Sequence, residues 1–268
     1  MPVFKMIIIG GWGVDDMAYG ERWLLREHAG ETQSWIGPWL ERYVRYWSVM
    51  PPAEMVPDLV RLGSYTTGVT MHVYNDYPPV PQSQWGMVGM VPNKRQGQAK
   101  TPGDAYAKAG TAAEEQPRTV TTFCYTPFVP TEDFLGSAVN PWDQSLLRWI
   151  TCFKYPKGVS REEGDDWYVR VHAPEVMRQK GLLRFFSYRT MDWPGEALWH
   201  RVTELWYEDF AAWHKAVIEE PPAYTAPAWA TYGEYPFLEP NRDLLGSFIL
   251  ERPTHDLLRD NLIYIIGP

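Results

Sequence analysis

Cysteine is scarce: the 268-residue chain has two, Cys124 and Cys152. Neither sits in a Cys-x-x-Cys or zinc-ribbon spacing, which argues against a disulfide-framework scaffold and a local structural zinc site. Both lie in apolar, strand-like runs, where a free thiol behaves as a small hydrophobe and a reduced cytoplasmic setting is expected. A bridge between the two stays open from the sequence alone. Long apolar runs are also missing. No stretch approaches the roughly 20 residues a membrane helix needs, so no membrane partner is expected. The N-terminal run Val3–Gly10 is short for a signal-peptide core and has the character of a strand. Positive charge is in deficit, with 25 Lys and Arg against 33 Asp and Glu. The nearest thing to a basic run is Lys94-Arg95, so the counterion-displacing surface of a nucleic-acid binder is absent. Short catalytic motifs are lacking too. Gly10-Gly11-Trp12-Gly13 does not have the dinucleotide-binding spacing, and no H-E-x-x-H or G-x-S-x-G occurs. Nothing local calls for a metal or a cofactor and none is expected, although a metal site assembled from distant His and carboxylates stays open from the sequence alone.

Aromatic residues, by contrast, are plentiful: 14 Trp, 16 Tyr and 10 Phe. Such an excess fits either a ring-walled cavity and extensive interface or an aromatic-rich core. The length suits two units of about 130 residues each. An internal repeat supports that division. Residues 23–29 and 167–173 share the pattern W-x-x-R-x-H-A at an offset of 144. Each copy follows a strand-like run and an acidic helix start; in the second copy Ser160 and Glu163 form a capping box. Leu40–Tyr46 then matches Leu182–Tyr188 at an offset of 142, and Val69–Asp76 aligns without gaps on Val202–Asp209. A helix follows from Phe210 to Glu219 in the second copy. In the first, a Pro-, Gln- and Gly-rich stretch, Pro78–Pro102, and a short helix at Asp104–Ala109 take its place. Closing strands are expected at Thr119–Phe128 and Leu244–Glu251. The fold class is therefore α+β: two ferredoxin-like βαββαβ units, residues 1–135 and 142–268, packed sheet to sheet as an intramolecular dimeric α+β barrel. Pro130–Trp142 reads as the linker, and Pro221–Pro240 as a long excursion of the kind that serves as a lid or a partner-binding arm.

These motifs resemble the EthD-like family of dimeric α+β barrel proteins, here as a tandem fused duplicate. The second half carries the likeness in Trp167-Tyr168, Arg170, His172-Ala173-Pro174, Gly181-Leu182, Arg184-Phe185 and Glu204–Tyr207; the first half departs from it, with Gly30 in place of the proline. The resemblance implies a cavity between two sheets and hydrophobic aromatic or polyketide-like substrates, often handled without a cofactor.

Four residues are candidates for proton transfer. His28 and His172 lead, because imidazole titrates near neutrality. In both motifs Trp, Arg and His stand at i, i+3 and i+5. On an α-helix that places the histidine about 200° from the tryptophan, so no tight cluster is expected on the helix itself. His72 and Glu204 lie one position apart on matching third strands, hence on opposite faces. Trp23, Tyr43, Tyr46, Tyr74, Trp167, Tyr188 and Trp206 are the candidate substrate-binding rings. The expected activity is a cofactor-independent, histidine-assisted elimination, decarboxylation or isomerisation of a small aromatic compound, with lyase chemistry first. Non-catalytic aromatic-ligand binding and cofactor-free oxygenation are the alternatives. Further association of whole chains into a homo-oligomer is left open.

Overall fold

The computed structural model describes residues 1–12, 24–25, 29–64, 68–78, 119–136, 146–192 and 197–259. The helices expected before residue 29 and at 104–109 fall mostly outside this set. Two five-stranded antiparallel sheets make up the frame. The first is built from β1 (Phe4–Trp12), β2 (Leu40–Trp47), β3 (Gly68–Tyr74) and β4 (Thr119–Pro127); the second from β6 (Leu147–Phe153), β7 (Arg184–Arg189), β8 (Arg201–Tyr207) and β9 (Leu244–Leu250). Two short strands, β5 (Glu132–Asp133) and β10 (His255–Asp256), complete them. Each joins the sheet opposite to that of the strand before it: the orders are β10-β2-β3-β1-β4 and β5-β7-β8-β6-β9. Thus β5, inside the segment read as a linker, pairs with β7, and β10 returns to pair with β2. Sheet membership therefore crosses the 1–135 and 142–268 division in both directions.

Alternation places the side chains. Along β6, Leu147, Trp149 and Phe153 join a helix-covered core, whereas Ile150 and Cys152 join a second core shared with Ile7, Val69 and Cys124 of the first sheet. The sheets thus meet over a common apolar layer. A third core lies under α1 (Ala29–Ile36), on the outer face of the first sheet, around Phe4, Met6, Tyr43 and Tyr74. With both faces covered, all seven positions of β3, β6 and β8 are buried. Cys124 and Cys152 are both free thiols.

A helix not anticipated from the sequence, α2 (Val56–Arg61), interrupts the β2–β3 connection. Its Leu59, with Leu62, enters the outer core of the second sheet, and the chain around it covers the edge of β9. Val49 N–H donates to the Phe248 carbonyl at 2.7 Å, and Gly246 N–H to that of Gly63 at 2.8 Å. Gly63 has φ +63°, and a Cβ there would meet the Leu244 oxygen at 2.6 Å, so the crossing needs glycine. Trp149 Nε1 donates to Ser64 Oγ at 2.7 Å across the same seam.

Candidate functional site

The sequence candidates separate into three clusters. One lies against the outer face of the second sheet, beneath a continuous helical segment. It opens at α3 (Arg161–Trp167), where Ser160 Oγ accepts from Glu163 N–H as its N-cap. It passes through a π turn, Tyr168–His172, and ends in α4 (Ala173–Val176). At the turn Ala173 N–H reaches back five residues to the Tyr168 carbonyl. That wider turn corrects the expected geometry. Five residues on an α-helix would set Trp167 and His172 far apart in angle, but a π turn returns i+5 to the same face, and their ring centroids are 4.9 Å apart.

His172 is enclosed by rings. Tyr168 lies 5.4 Å from it, and Tyr235 stacks on it at 5.6 Å with an interplanar angle of 5°. Burial pulls the imidazole pKa down to about 4, with the Glu175 carboxylate opposing the shift, so the ring is neutral at pH 7. Among the described residues, neither His172 Nδ1 nor Trp167 Nε1 has a hydrogen-bond partner, although both are buried. A cavity of about 30 Å³ adjoins them, lined also by Tyr168, Thr151, Thr203 and Pro236. It has room for a water or two. Thr151 and Thr203 satisfy each other, Oγ1 to Oγ1, at 2.6 Å.

The long excursion after the helix α5 (Phe210–His214) and its π turn (Lys215–Glu219) forms the roof. It is latched from below. Glu175 accepts from Thr225 N–H at 2.8 Å and from Thr225 Oγ1 at 2.7 Å. Tyr224, held by Gln179 Nε2 at 2.7 Å, stacks on Tyr235 with centroids 4.1 Å apart. On the far side of the cavity, Arg201 binds Asp165 at 2.6 Å, Glu132 at 2.8 Å and Ser187 at 2.9 Å. Its guanidinium sits 4.5 Å from the Tyr168 ring centroid and braces that wall.

The second cluster lies between the sheets and gathers Glu204, Tyr188, Trp206 and Tyr46. Glu204 Oε1 is 2.8 Å from Arg148 Nη2 and 3.6 Å from Lys5 Nζ, and Tyr188 hydrogen-bonds to the same carboxylate. Burial alone would raise the Glu204 pKa; Arg148 and Lys5 outweigh it and hold the group below the usual value. Lys5 is pulled down to about 8, chiefly by burial, with Glu204 working against the shift. The register matches the two sheets position for position. Lys5 faces Val73 and Thr126 across its neighbouring strands, as Arg148 faces Trp206 and Ile249. Lys5 Nζ lies 3.7 Å from the Tyr188 ring centroid, and the Arg148 guanidinium 5.7 Å from that of Tyr46. Lys5 then finds Glu204, whereas Arg148 meets Met71, Nη2 to Sδ 4.0 Å.

The third cluster joins His72, Tyr43 and Tyr74 on the outer face of the first sheet. His72 Nδ1 is 3.2 Å from Tyr74 Oη, and its ring stands edge-on to Tyr43 at 4.3 Å. Burial raises both phenol pKa values. Here His72 corresponds to Leu205, and Met71 to Glu204, which is why the two candidates point to opposite faces of their sheets. His28 and Trp23 lie outside the described residues.

The family resemblance implies a ligand cavity between the sheets. The cavity beside His172 lies on the outer face of the second sheet. Tyr168, Tyr235, Lys5 and Arg148 escaped the sequence reading. For the last two a signal existed, a single cation inside an apolar strand run; Tyr235 is brought in by a loop and had none. Among the described residues, no group of three or more His, Cys, Asp or Glu is placed to hold a metal ion, and no helix is long and apolar enough to cross a membrane.

No protein-family model and no curated protein sequence matches the chain. Among solved structures it is similar to an EthD (ethyl tert-butyl ether D) family protein from Bacillus halodurans, at 22% identity and a TM-score of 0.26 over 28% of this chain and 74% of that one. It is also similar to chlorite dismutase from Candidatus Nitrospira defluvii: an arginine variant at 11% identity and TM-score 0.40 over 97% and 95% of the two chains. The same enzyme in complex with imidazole aligns at 11% identity and TM-score 0.37 over 98% and 94%.

Proposed function

We propose that the chain is an enzyme that binds a small apolar, aromatic molecule beneath the π turn and moves a proton with His172. The observation that carries this reading is the buried, neutral imidazole whose Nδ1 has no partner among the described residues, set in a ring-walled cavity. A buried polar atom left unsatisfied costs about 1–3 kcal/mol, and a ligand that completes it recovers that cost. The neutral ring can accept a proton, and the roof excludes the water that would compete for it. Tyr235 marks where a flat substrate fits: its ring occupies the parallel stack on His172. Entry therefore displaces this part of the roof. Proton transfer at a carbon next to a carbonyl serves all three reactions, by abstraction in elimination and isomerisation and by protonation of the carbon that loses CO2 in decarboxylation, with lyase chemistry taken first. We further read the two sheets, with their reciprocal strand exchange and matched placement of Lys5 and Arg148, as an intramolecular dimeric α+β barrel of EthD-like type.

The test is deuterium incorporation from heavy water into a panel of small aryl ketones, followed by mass spectrometry. His172→Gln is expected to slow exchange by about 10²–10⁴-fold with an unchanged circular dichroism spectrum. Full exchange in that variant overturns the assignment. Non-catalytic binding is a second reading, favoured by the low imidazole pKa of about 4, which makes His172 a weak base. Saturable binding of the ketones with no exchange in the wild type would establish it instead.

A further inference from the structure

Two cations and one carboxylate are buried together between the sheets: Lys5, Arg148 and Glu204. The matched register explains the imbalance. Met71 stands where the match with Glu204 would put a second acid. Other charges nearby do not correct it. Arg184, on the far side of Trp206, has its own carboxylate in Glu251 at 3.6 Å, and Asp133 is exposed at the sheet edge. Among the described residues one positive charge is therefore in excess in a region of low dielectric, where an uncompensated ion is strongly disfavoured. Donors are also left over. Arg148 Nε, Trp206 Nε1 and Thr126 Oγ1 are buried without a hydrogen-bond partner among the described residues, three groups able to donate against one such acceptor in the cluster, Glu204 Oε1. Arg148 and Trp206 are direct cross-strand neighbours, with the guanidinium 5.2 Å from the indole ring centroid, and Thr126 stands opposite Lys5 on the same face.

We propose that this inter-sheet cluster is a binding site for a small monovalent anion of the halide class, held by the Arg148 and Trp206 N–H groups beside Lys5. The anion neutralises the excess charge and completes the donors, so it binds the folded chain and not the unfolded one. Occupancy must then raise the melting temperature by mass action. The site is separate from the His172 cavity, which lies on the other face of the second sheet.

The experiment follows the melting temperature of the whole chain at pH 7 as chloride replaces gluconate at constant ionic strength. The expected result is a rise of several degrees in the wild type. Lys5→Met removes the excess charge; it is expected to abolish the chloride response while melting in gluconate no lower than the wild type. Met71→Glu supplies the second acid and is expected to do the same. Crystals soaked in bromide should show anomalous scattering between Arg148 and Trp206. Identical chloride responses in the wild type and Lys5→Met, or no bromide scattering there, overturn the proposal. So does an NMR titration of Lys5 in chloride-free buffer showing that it is neutral at pH 7, because proton loss then relieves the charge instead.

Discussion

His172 shows how a single residue can be recognised from sequence and still be misplaced. The W-x-x-R-x-H-A spacing picks it out, but the 3.6-residue period turns it away from Trp167. Only the i→i+5 bond from Ala173 to Tyr168 brings the rings together. Repeated Trp and His at i+5 was itself a trace of a π turn, since that spacing makes a face only at such a turn. The burial that follows has a measurable consequence. In the unfolded chain the imidazole has a pKa near 6.5; in the fold it is about 4. Between these values the unfolded state binds the proton and the native state does not, so stability rises with pH through this window. Its contribution is complete above pH 6.5 and is lost as pH falls towards 4. Between pH 6.5 and 5 the loss from this residue is about 2 kcal/mol. Urea denaturation of wild type and His172→Phe at both pH values checks it. The variant should lack this part of the acid sensitivity; equal losses would mean that His172 is not buried neutral.

Elements were legible in proportion to their length and periodicity. The long strands could be aligned because their apolar runs recur at constant offsets, and the backbone pairing follows the same alignment: Val73 faces Lys5 as Trp206 faces Arg148. The capping box at Ser160 was likewise readable, because its chemistry is local. Strands β5 and β10 were not, since two residues carry no period and their partners lie in the other half of the chain. Helix α2 was hidden for a related reason. With prolines at 51, 52 and 57 its segment reads as loop, and it is held by Leu59 and Leu62 packing into a distant core. The roof over His172 is another long-range element, and its attachment is concentrated at Glu175. That carboxylate accepts two hydrogen bonds from Thr225, one from the backbone. Hydrogen bonds to charged groups contribute about 1.5–3 kcal/mol each. Glu175→Ala should therefore loosen the roof locally. Amide exchange at Thr225 is expected to accelerate well beyond any change at Ile249 in the β9 ladder. Parallel acceleration at both amides would mean that the roof and sheet open as one unit, and that no latch exists.

At the scale of the whole molecule, the two halves are joined by exchanged strands at the edges and by one ion cluster at the centre. Glu204 is the member of that cluster with no substitute, because among the described residues it alone pairs with both Lys5 and Arg148. Replacing it by glutamine keeps the shape and removes the charge, leaving two buried cations against each other. Breaking a buried pair in this way costs about 3–5 kcal/mol. The sign of the pH dependence distinguishes this from a simple packing defect. Lys5 has a native pKa of about 8 against roughly 10.4 unfolded, so the unfolded state holds the extra proton between the two. Stability from this group therefore rises as pH climbs through that window. Glu204 is what keeps the native value from falling further, since its charge favours protonated Lys5. In Glu204→Gln the lysine proton is released at lower pH and the window widens downwards. The variant should be deficient at pH 7 and recover part of the deficit by pH 9, gaining more over that interval than the wild type. Urea midpoints at the two pH values measure it. A variant equally deficient at both would point to lost packing, and one as stable as the wild type at pH 7 would mean that the sheets do not depend on this carboxylate to hold them together.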